Sequence, residues 1–310
     1  MEATEKTVAA PVGPDADGIY VGLIDGIYRR APGASVSSLK YLDPPARFPN
    51  RKHEPPTAAM RMGTLVHSLI LEPDKPLPRI VLKPTEYPAD HPQVLSGKVK
   101  AGTELKWSAS HWCKAWAKAQ EDAGNDVMTE KEWETLNACV EAVANDEMAA
   151  AILSEGFGEV SWFSTLELPS SRRTVRRKGR IDWASPGRRF LADVKKVSED
   201  GGRREFWEAN AWDRRYYVQA AYYLDGWNEQ ADAENQVEKF IFIVVESEPP
   251  YLVSKFEIRV GDELYEAGRS QYLQDLETLM ECKATGVWPG YLPGVQPMGM
   301  PGFARRKLRK

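Results

Sequence analysis

Apolar positions recur along this chain with two periods, and where the period changes the predicted element changes with it. Thr57 to Leu71 carries Met62, Leu65, Val66, Leu69 and Ile70 at helical spacing, with Thr57 placed to cap the first turn. Helical spacing returns at Trp107 to Glu121 and at Thr129 to Leu153, where Trp112, Trp116 and Trp133 read as packing groups. Alternation with a period of two then predicts strands at Gly158 to Leu168 and at roughly 174 to 184 and 189 to 197. Trp207 to Trp227 predicts one long helix whose Trp212, Tyr216, Gln219 and Tyr223 recur at i, i+4, i+7 and i+11 and so share a face. Strands at Glu238 to Glu246 and Tyr251 to Val260, joined around Pro249-Pro250, and a last helix from Gly261 to Lys283 complete the series. A helix, three antiparallel strands, a helix, two strands and a helix make an α/β fold, a mixed central sheet flanked by helices.

Outside those elements the pattern thins. Residues 1 to about 18, with Pro11, Gly13, Pro14 and Gly18, read as disordered or loosely attached. Ser35-Val36-Ser37-Ser38-Leu39-Lys40 reads as a helix start stopped by Pro44-Pro45, part of an N-terminal helical addition, and Asn50 to Pro56 as a polar loop. From Glu72 to Lys106 there is no period, and Pro73, Pro76, Pro78, Pro84, Pro88 and Pro92 predict an extended insertion or a flexible arm. The expected organisation is one domain over 19–292, with an extended and helical insertion over 72–155, followed by a Gly/Pro-rich and basic tail over 293–310.

The chemistry concentrates in Arg176 to Lys196. Ser185-Pro186-Gly187-Arg188 is a turn signal, so Ser185 is expected opposite Arg188 and Asp182 opposite Leu191. Alternation then puts Asp182, Leu191, Asp193 and Lys195 on one face of the hairpin, and Ile181, Trp183, Phe190, Ala192 and Val194 on the other. Two carboxylates and a lysine on an otherwise apolar structure are costly unless paired or bound to a cation. Aspartates with a nearby carbonyl suit Mg²⁺ or Mn²⁺, and a neighbouring lysine can stabilise developing negative charge. Asp193-Val194-Lys195 alone is also compatible with a plain surface hairpin. Taken alone, His67 reads as a satisfied buried or half-exposed histidine of its helix rather than as a ligand. Glu159, at the start of a strand, reads either as an accessory carboxylate or as an exposed strand end.

Composition narrows the class. There are 41 Lys and Arg against 45 Asp and Glu, a formal net charge of −4, so the whole molecule does not advertise a polyanion partner. The distribution does: Arg172, Arg173, Arg176, Arg177, Lys178 and Arg180 precede the turn, Arg188, Arg189, Lys195, Lys196, Arg203 and Arg204 follow it, and Arg305 to Lys310 is basic. Such clusters suggest a local phosphate-tracking surface. Cys113, Cys139 and Cys282 are too few and scattered for a disulfide framework, a zinc ribbon or a four-cysteine cluster. No run approaches the about 18 to 20 apolar residues of a membrane span, and the first residues lack a signal-peptide pattern. A cytoplasmic protein without membrane contact is expected.

Together, Gly63-Thr64-Leu65-Val66-His67, Gly179-Arg180-Ile181-Asp182, Asp193-Val194-Lys195 and Gln219-Ala220-Ala221-Tyr222-Tyr223 resemble, in order and spacing, the PD-(D/E)XK nuclease superfamily. Ser35 to Lys40, Val245 to Tyr251 and Trp288-Pro289-Gly290-Tyr291 are similar to the exonuclease VIII-type proteins of phage and prophage recombination. The resemblance covers about residues 19 to 292. It implies that His67, Asp182 and Asp193 are metal ligands with the Val194 carbonyl, that Lys195 positions or helps deprotonate the attacking water, that Gln219 and Tyr223 orient the lysine or a DNA phosphate, and that Glu159 is an accessory acid. Lys196 departs from relatives that carry a small hydroxyl residue there. The implied activity is Mg²⁺-dependent exonuclease action on double-stranded DNA ends, from 5′ ends, leaving 3′ tails for a single-strand annealing protein. The implied assembly is a ring-shaped homo-oligomer in a bacterial host, phage or prophage encoded. An endonuclease of the same fold and a non-catalytic DNA-binding scaffold stand as alternatives.

Overall fold

The computed structural model describes residues 14–52, 57–72, 79–107 and 111–300. The expectations for residues 1–13, for Pro55, Pro56, Pro73, Pro76 and Pro78, for the 108–110 stretch and for the basic end from 301 fall outside the described residues.

In chain order the elements are β1 (Gly18–Tyr20), α1 (Asp25–Arg30), α2 (Val36–Leu39), α3 (Ala58–Leu71), β2 (Ile80–Leu82), α4 (Pro92–Leu95), α5 (His111–Asp122), β3 (Asp126–Met128), α6 (Glu130–Asn145), α7 (Glu147–Ile152), β4 (Phe157–Glu167), β5 (Thr174–Ser185), β6 (Phe190–Val197), α8 (Arg204–Asp213), α9 (Tyr216–Asn228), β7 (Lys239–Glu246), β8 (Val253–Arg259) and α10 (Glu263–Thr285). The main sheet runs β1-β4-β5-β6-β7-β8, and every neighbouring pair is antiparallel except β6 and β7. The mixed α/β sheet is the predicted one. Among the described residues no helix is long and apolar enough to cross a membrane.

Both faces of the sheet are buried, so its central strands are apolar on both sides. β7 shows this most cleanly. Phe240, Phe242 and Val244 enter a core shared with α9 and α10, while Ile241, Ile243 and Val245 enter one shared with Met62, Leu65 and Val66 of α3 and Leu136, Cys139 and Val143 of α6. Trp162 of β4 is fully buried, and a Cβ on Gly179 of β5 or on Gly226 of α9 would stand only 2.4 Å or 2.2 Å from its indole. The two glycines let the indole lie between strand and helix, which sets how closely α9 approaches the sheet.

Several expectations need correcting. The turn is longer than the Pro-Gly signal suggests: a single helical turn at 186–188 is followed by Arg189 at φ 60°, so Ser185 pairs with Phe190 and Ala184 with Leu191, not Ser185 with Arg188 or Asp182 with Leu191. A shift of two preserves the parity of the pairing. Ile181 does change sides. It joins Ala184 and Leu191 in the first core although it lies three residues from Ala184, so alternation breaks once around Asp182. The helix expected from 207 to 227 is two, because Arg215 takes a left-handed φ of 61° and its guanidinium pairs with Asp275 of α10. Trp212 therefore leaves the predicted stripe and stacks on Tyr217, with centroids 4.5 Å apart. Likewise 129–153 is broken at Asp146, whose carboxylate caps α7 through the Ala149 N–H at 2.8 Å. The 72–106 stretch is not wholly irregular, for β2 pairs in parallel with β3 and α4 follows.

Candidate active site

The site forms where the sheet comes apart. β5 and β6 pair only at Trp183↔Ala192, Ala184↔Leu191 and Ser185↔Phe190. The next rung would set Asp182 against Asp193, and it is not made. Instead the Val194 N–H, freed from the ladder, donates to Asp182 Oδ2 at 3.2 Å. On β4, Glu159 occupies the register position between Gly158↔Trp183 and Val160↔Ile181, with a left-handed φ of 54°. Non-glycine residues rarely adopt that region, and such strain clusters at functional sites.

Five elements, α3, β4, β5, β6 and α9, bring side chains to this opening. α3 contributes His67, whose Nδ1 lies 3.1 Å from Asp182 Oδ2. β6 contributes Asp193, 1% exposed, with Lys195 Nζ against its Oδ1 and the Gln219 amide of α9 donating to its Oδ2. Oδ1 meets the ammonium as an ion pair but without the alignment of a hydrogen bond. The Tyr216 ring lies 5.0 Å from Lys195 Nζ. Tyr223, the other residue expected on α9, is buried against Trp162, Tyr222 and Phe240. The Glu159 carboxylate accepts from Arg180 Nε at 2.5 Å, and Arg180 Nη1 reaches the Leu23 carbonyl at 3.0 Å.

The electrostatics follow from burial and crowding. Burial pushes Asp193 up, the negative charge of Asp182 pushes it further, and its carboxyl is raised to about 6 despite Lys195 and His67. Burial pushes Asp182 the same way, but His67, Lys195 and the Val194 N–H outweigh it and hold that carboxyl below its ordinary value. Burial disfavours the charged imidazole of His67, yet Asp182 and then Asp193 more than compensate and its pKa is raised. Lys195 is likewise raised, burial being overcome by Asp193 and Asp182. Burial and then Asp182 raise Glu159, with Arg180 opposing.

Among the described residues no three His, Cys, Asp or Glu side chains are arranged as a metal cage. The carboxylates are spent on Lys195, Gln219, His67 and the Val194 amide. As a donor set the residues fit a hard divalent cation all the same: two closely placed carboxylates, of which Asp182 helps raise the buried Asp193, an imidazole, and a carboxylate oxygen on Asp193 lacking an aligned donor.

The basic run before the turn does not form one open surface. Alternation sends Arg177 inward, fully buried among the rings of Trp162, Tyr222 and Tyr272 with Glu229 as its counter-ion. Lys178 Nζ caps α1 through the carbonyls of Tyr28, Arg29 and Ala31. Arg172 and Arg173 pair with Glu167 and Glu281, and Arg203 and Arg204 with Glu205 and Glu208. Sequence reasoning named Tyr216 in the α9 stripe and Arg180 in the basic run but gave neither a role at the site. Both had a signal, since Arg180 stands inside the Gly-Arg-Ile-Asp motif and Tyr216 shares the face of Gln219.

A mixed sheet opened at its centre, with two aspartates and a lysine at the opening, defines a nuclease-type α/β domain. The chain belongs to the family described as a PDDEXK-like domain of unknown function (DUF3799), which matches residues 35–296. No curated protein sequence matches it. Its fold is similar to that of a candidate exonuclease from Eubacterium rectale, at 12% identity over 82% of this chain and 82% of that one, with a TM-score of 0.50. A phage-related exonuclease from Haemophilus somnus 129PT aligns over 64% of this chain and 91% of its own, at 12% identity and a TM-score of 0.32. Family and fold together support a nuclease.

Proposed function

We propose that this protein is a Mg²⁺- or Mn²⁺-dependent exonuclease that degrades double-stranded DNA from its ends, in the 5′ to 3′ direction, leaving 3′ single-strand tails. The observation that carries the reading is the unmade rung between β5 and β6, where Asp182, Asp193 and Lys195 converge with His67 and Gln219. A buried pair of opposing carboxylates is expensive to keep, and binding a cation is a physical reason to keep it.

Asp182, Asp193, His67 and the Val194 carbonyl would hold the ion. Bound there, a divalent cation screens the phosphate and lowers the pKa of water. The chain's own residues do the rest. Lys195 places positive charge where negative charge grows on the phosphate. Gln219 fixes the rotamer of Asp193 from the helix side. Glu159, held by Arg180, stands by Asp182 as an accessory acid, and Tyr223 closes the floor behind the aspartates. A water oxygen bonds to phosphorus as the bond from phosphorus to the 3′ oxygen breaks, giving a nucleoside 5′-phosphate and a new 5′-phosphorylated strand end.

In this reading the tails serve a single-strand annealing protein, and the enzyme works in the cytoplasm as a homo-oligomer, ring-shaped to stay on its substrate. The test uses linear duplex labelled at either the 5′ or the 3′ end, a covalently closed circle, Mg²⁺ and an EDTA control. Metal-dependent release of mononucleotides from 5′ ends, with the circle spared, is the expected result. Cutting of the circle would give an endonuclease instead, and binding without any cutting a scaffold.

A further inference from the structure

Lys195 has two holds. One is the carboxylate of Asp193; the other is the face of Tyr216, 5.0 Å from the ammonium. They differ in what a cation does to them. A divalent ion competes for the oxygens of Asp193 and repels the neighbouring ammonium, so the first hold weakens when the site is loaded. An aromatic ring carries no net charge to be claimed, and its quadrupole attracts an ammonium, more strongly where water is excluded. The Lys195 side chain is 18% exposed, which favours the contact.

The ring is itself held firmly. Tyr216 opens α9 directly after the left-handed Arg215, which Asp275 ties to α10. Its ring stacks on Trp207 at 5.5 Å and lies 5.8 Å from Phe242, and Trp207 stacks in turn on Phe256 at 5.4 Å. Trp207 rides on α8, and the loop leading to α8 is pinned by the Val245 to Tyr251 motif. There the carboxylate of Glu246, 4% exposed, accepts the Gly202 N–H at 3.0 Å, and Ser247 donates through both its amide and its hydroxyl to the Val197 carbonyl at 2.9 Å. From that loop to the ring, each contact limits where Lys195 can point.

We propose that Tyr216 is a positioning residue for Lys195, its ring face keeping the ammonium aimed into the site when Asp193 gives its oxygens to a divalent cation. The role rests on the nuclease reading of Lys195. The test compares full-length wild type, Tyr216→Phe and Tyr216→Leu, by turnover on linear duplex with Mg²⁺ and by NMR of ¹³C-labelled lysine, with Lys195 assigned through Lys195→Arg. Tyr216→Leu should lower kcat about tenfold, with KM within about twofold and melting little changed, while Tyr216→Phe restores turnover because it keeps the ring. In metal-free protein the Lys195 Cε protons should show an upfield ring shift that Phe retains and Leu abolishes, and in wild type the shift should survive added Mg²⁺. If leucine lowers the melting temperature, Tyr216→Met takes its place. Wild-type kcat in the leucine variant, or no ring shift on Lys195 in the wild type, overturns the proposal. A wild type that cleaves nothing overturns the nuclease reading and this role with it, whatever the spectra show.

Discussion

β6 has two flanks, and they are built differently. Toward β7 it pairs without interruption from Phe190↔Lys239 to Val197↔Glu246, eight rungs. Toward β5 it makes three and stops. The closed flank takes Val194 into an apolar core with Ile243 and Val245; the open flank leaves Asp193 and Lys195 without a partner on β5 and gives the Val194 N–H to a carboxylate. One strand thus serves as a stability element on one side and as a site on the other. The ladder fixes the strand so tightly on its closed side that it can tolerate buried, mutually repelling charges on its open one.

Breaking the open flank should have the largest effect. Asp193→Asn keeps the shape and most hydrogen bonding but removes the charge, and cleavage should fall at least about a thousandfold while the circular dichroism spectrum is unchanged. Near-normal cleavage would take Asp193 out of the site. Breaking the closed flank should do the reverse. Ile243 is fully buried, and Ile243→Ala should cost about 2 to 5 kcal/mol in urea unfolding, with turnover per folded molecule preserved. If that variant instead unfolded as wild type but lost turnover, the two flanks would not be separable.

What could be read in the sequence follows from the same division. The open flank was legible because its chemistry is carried by residue type: Asp182, Asp193 and Lys195 are out of place in an apolar hairpin, and alternation put them on one face. Their register was not legible. A turn closed by a left-handed Arg189 carries no glycine at that position, so Pro186-Gly187 suggested a tighter turn, and the two-residue error left the parity intact. The break between α8 and α9 was hidden for a similar reason. Arg214-Arg215 contains no breaker, and the left-handed Arg215 is stabilised by Asp275, sixty residues away in sequence. Gln219 was placed on one face with Tyr216 and Tyr223 and given a role only by the resemblance, and the structure brings its amide to Asp193. The basic run misled because charge was read without alternation, and Arg177 points inward. β1 and β2, three residues each, are too short to show any period.

The smallest effect sharpens the comparison through a carboxylate that is the opposite of Asp193. Asp146 pairs with Lys255 of β8 at 2.6 Å and caps α7, and although burial works against it, Lys255 and the Ala149 N–H hold its carboxyl below the ordinary value of 3.8. A native pKa below the unfolded one contributes stability that is fully present above the unfolded value and is lost as pH falls through the native value. Asp146→Asn retains a competent cap and loses only the charge, so it should cost about 0.5 kcal/mol in urea unfolding at pH 7. That cost should be the same at pH 5 and smaller at pH 3.5. Asp146→Ala should cost about 1 kcal/mol more, the worth of the cap, at every pH tested. A cost for the asparagine variant that shrank between pH 7 and pH 5 would point to a different titrating group. A charge at the half-exposed edge of the closed flank then stabilises because it is paired and not crowded, whereas Asp193 is crowded by Asp182 and held by the rest of the fold.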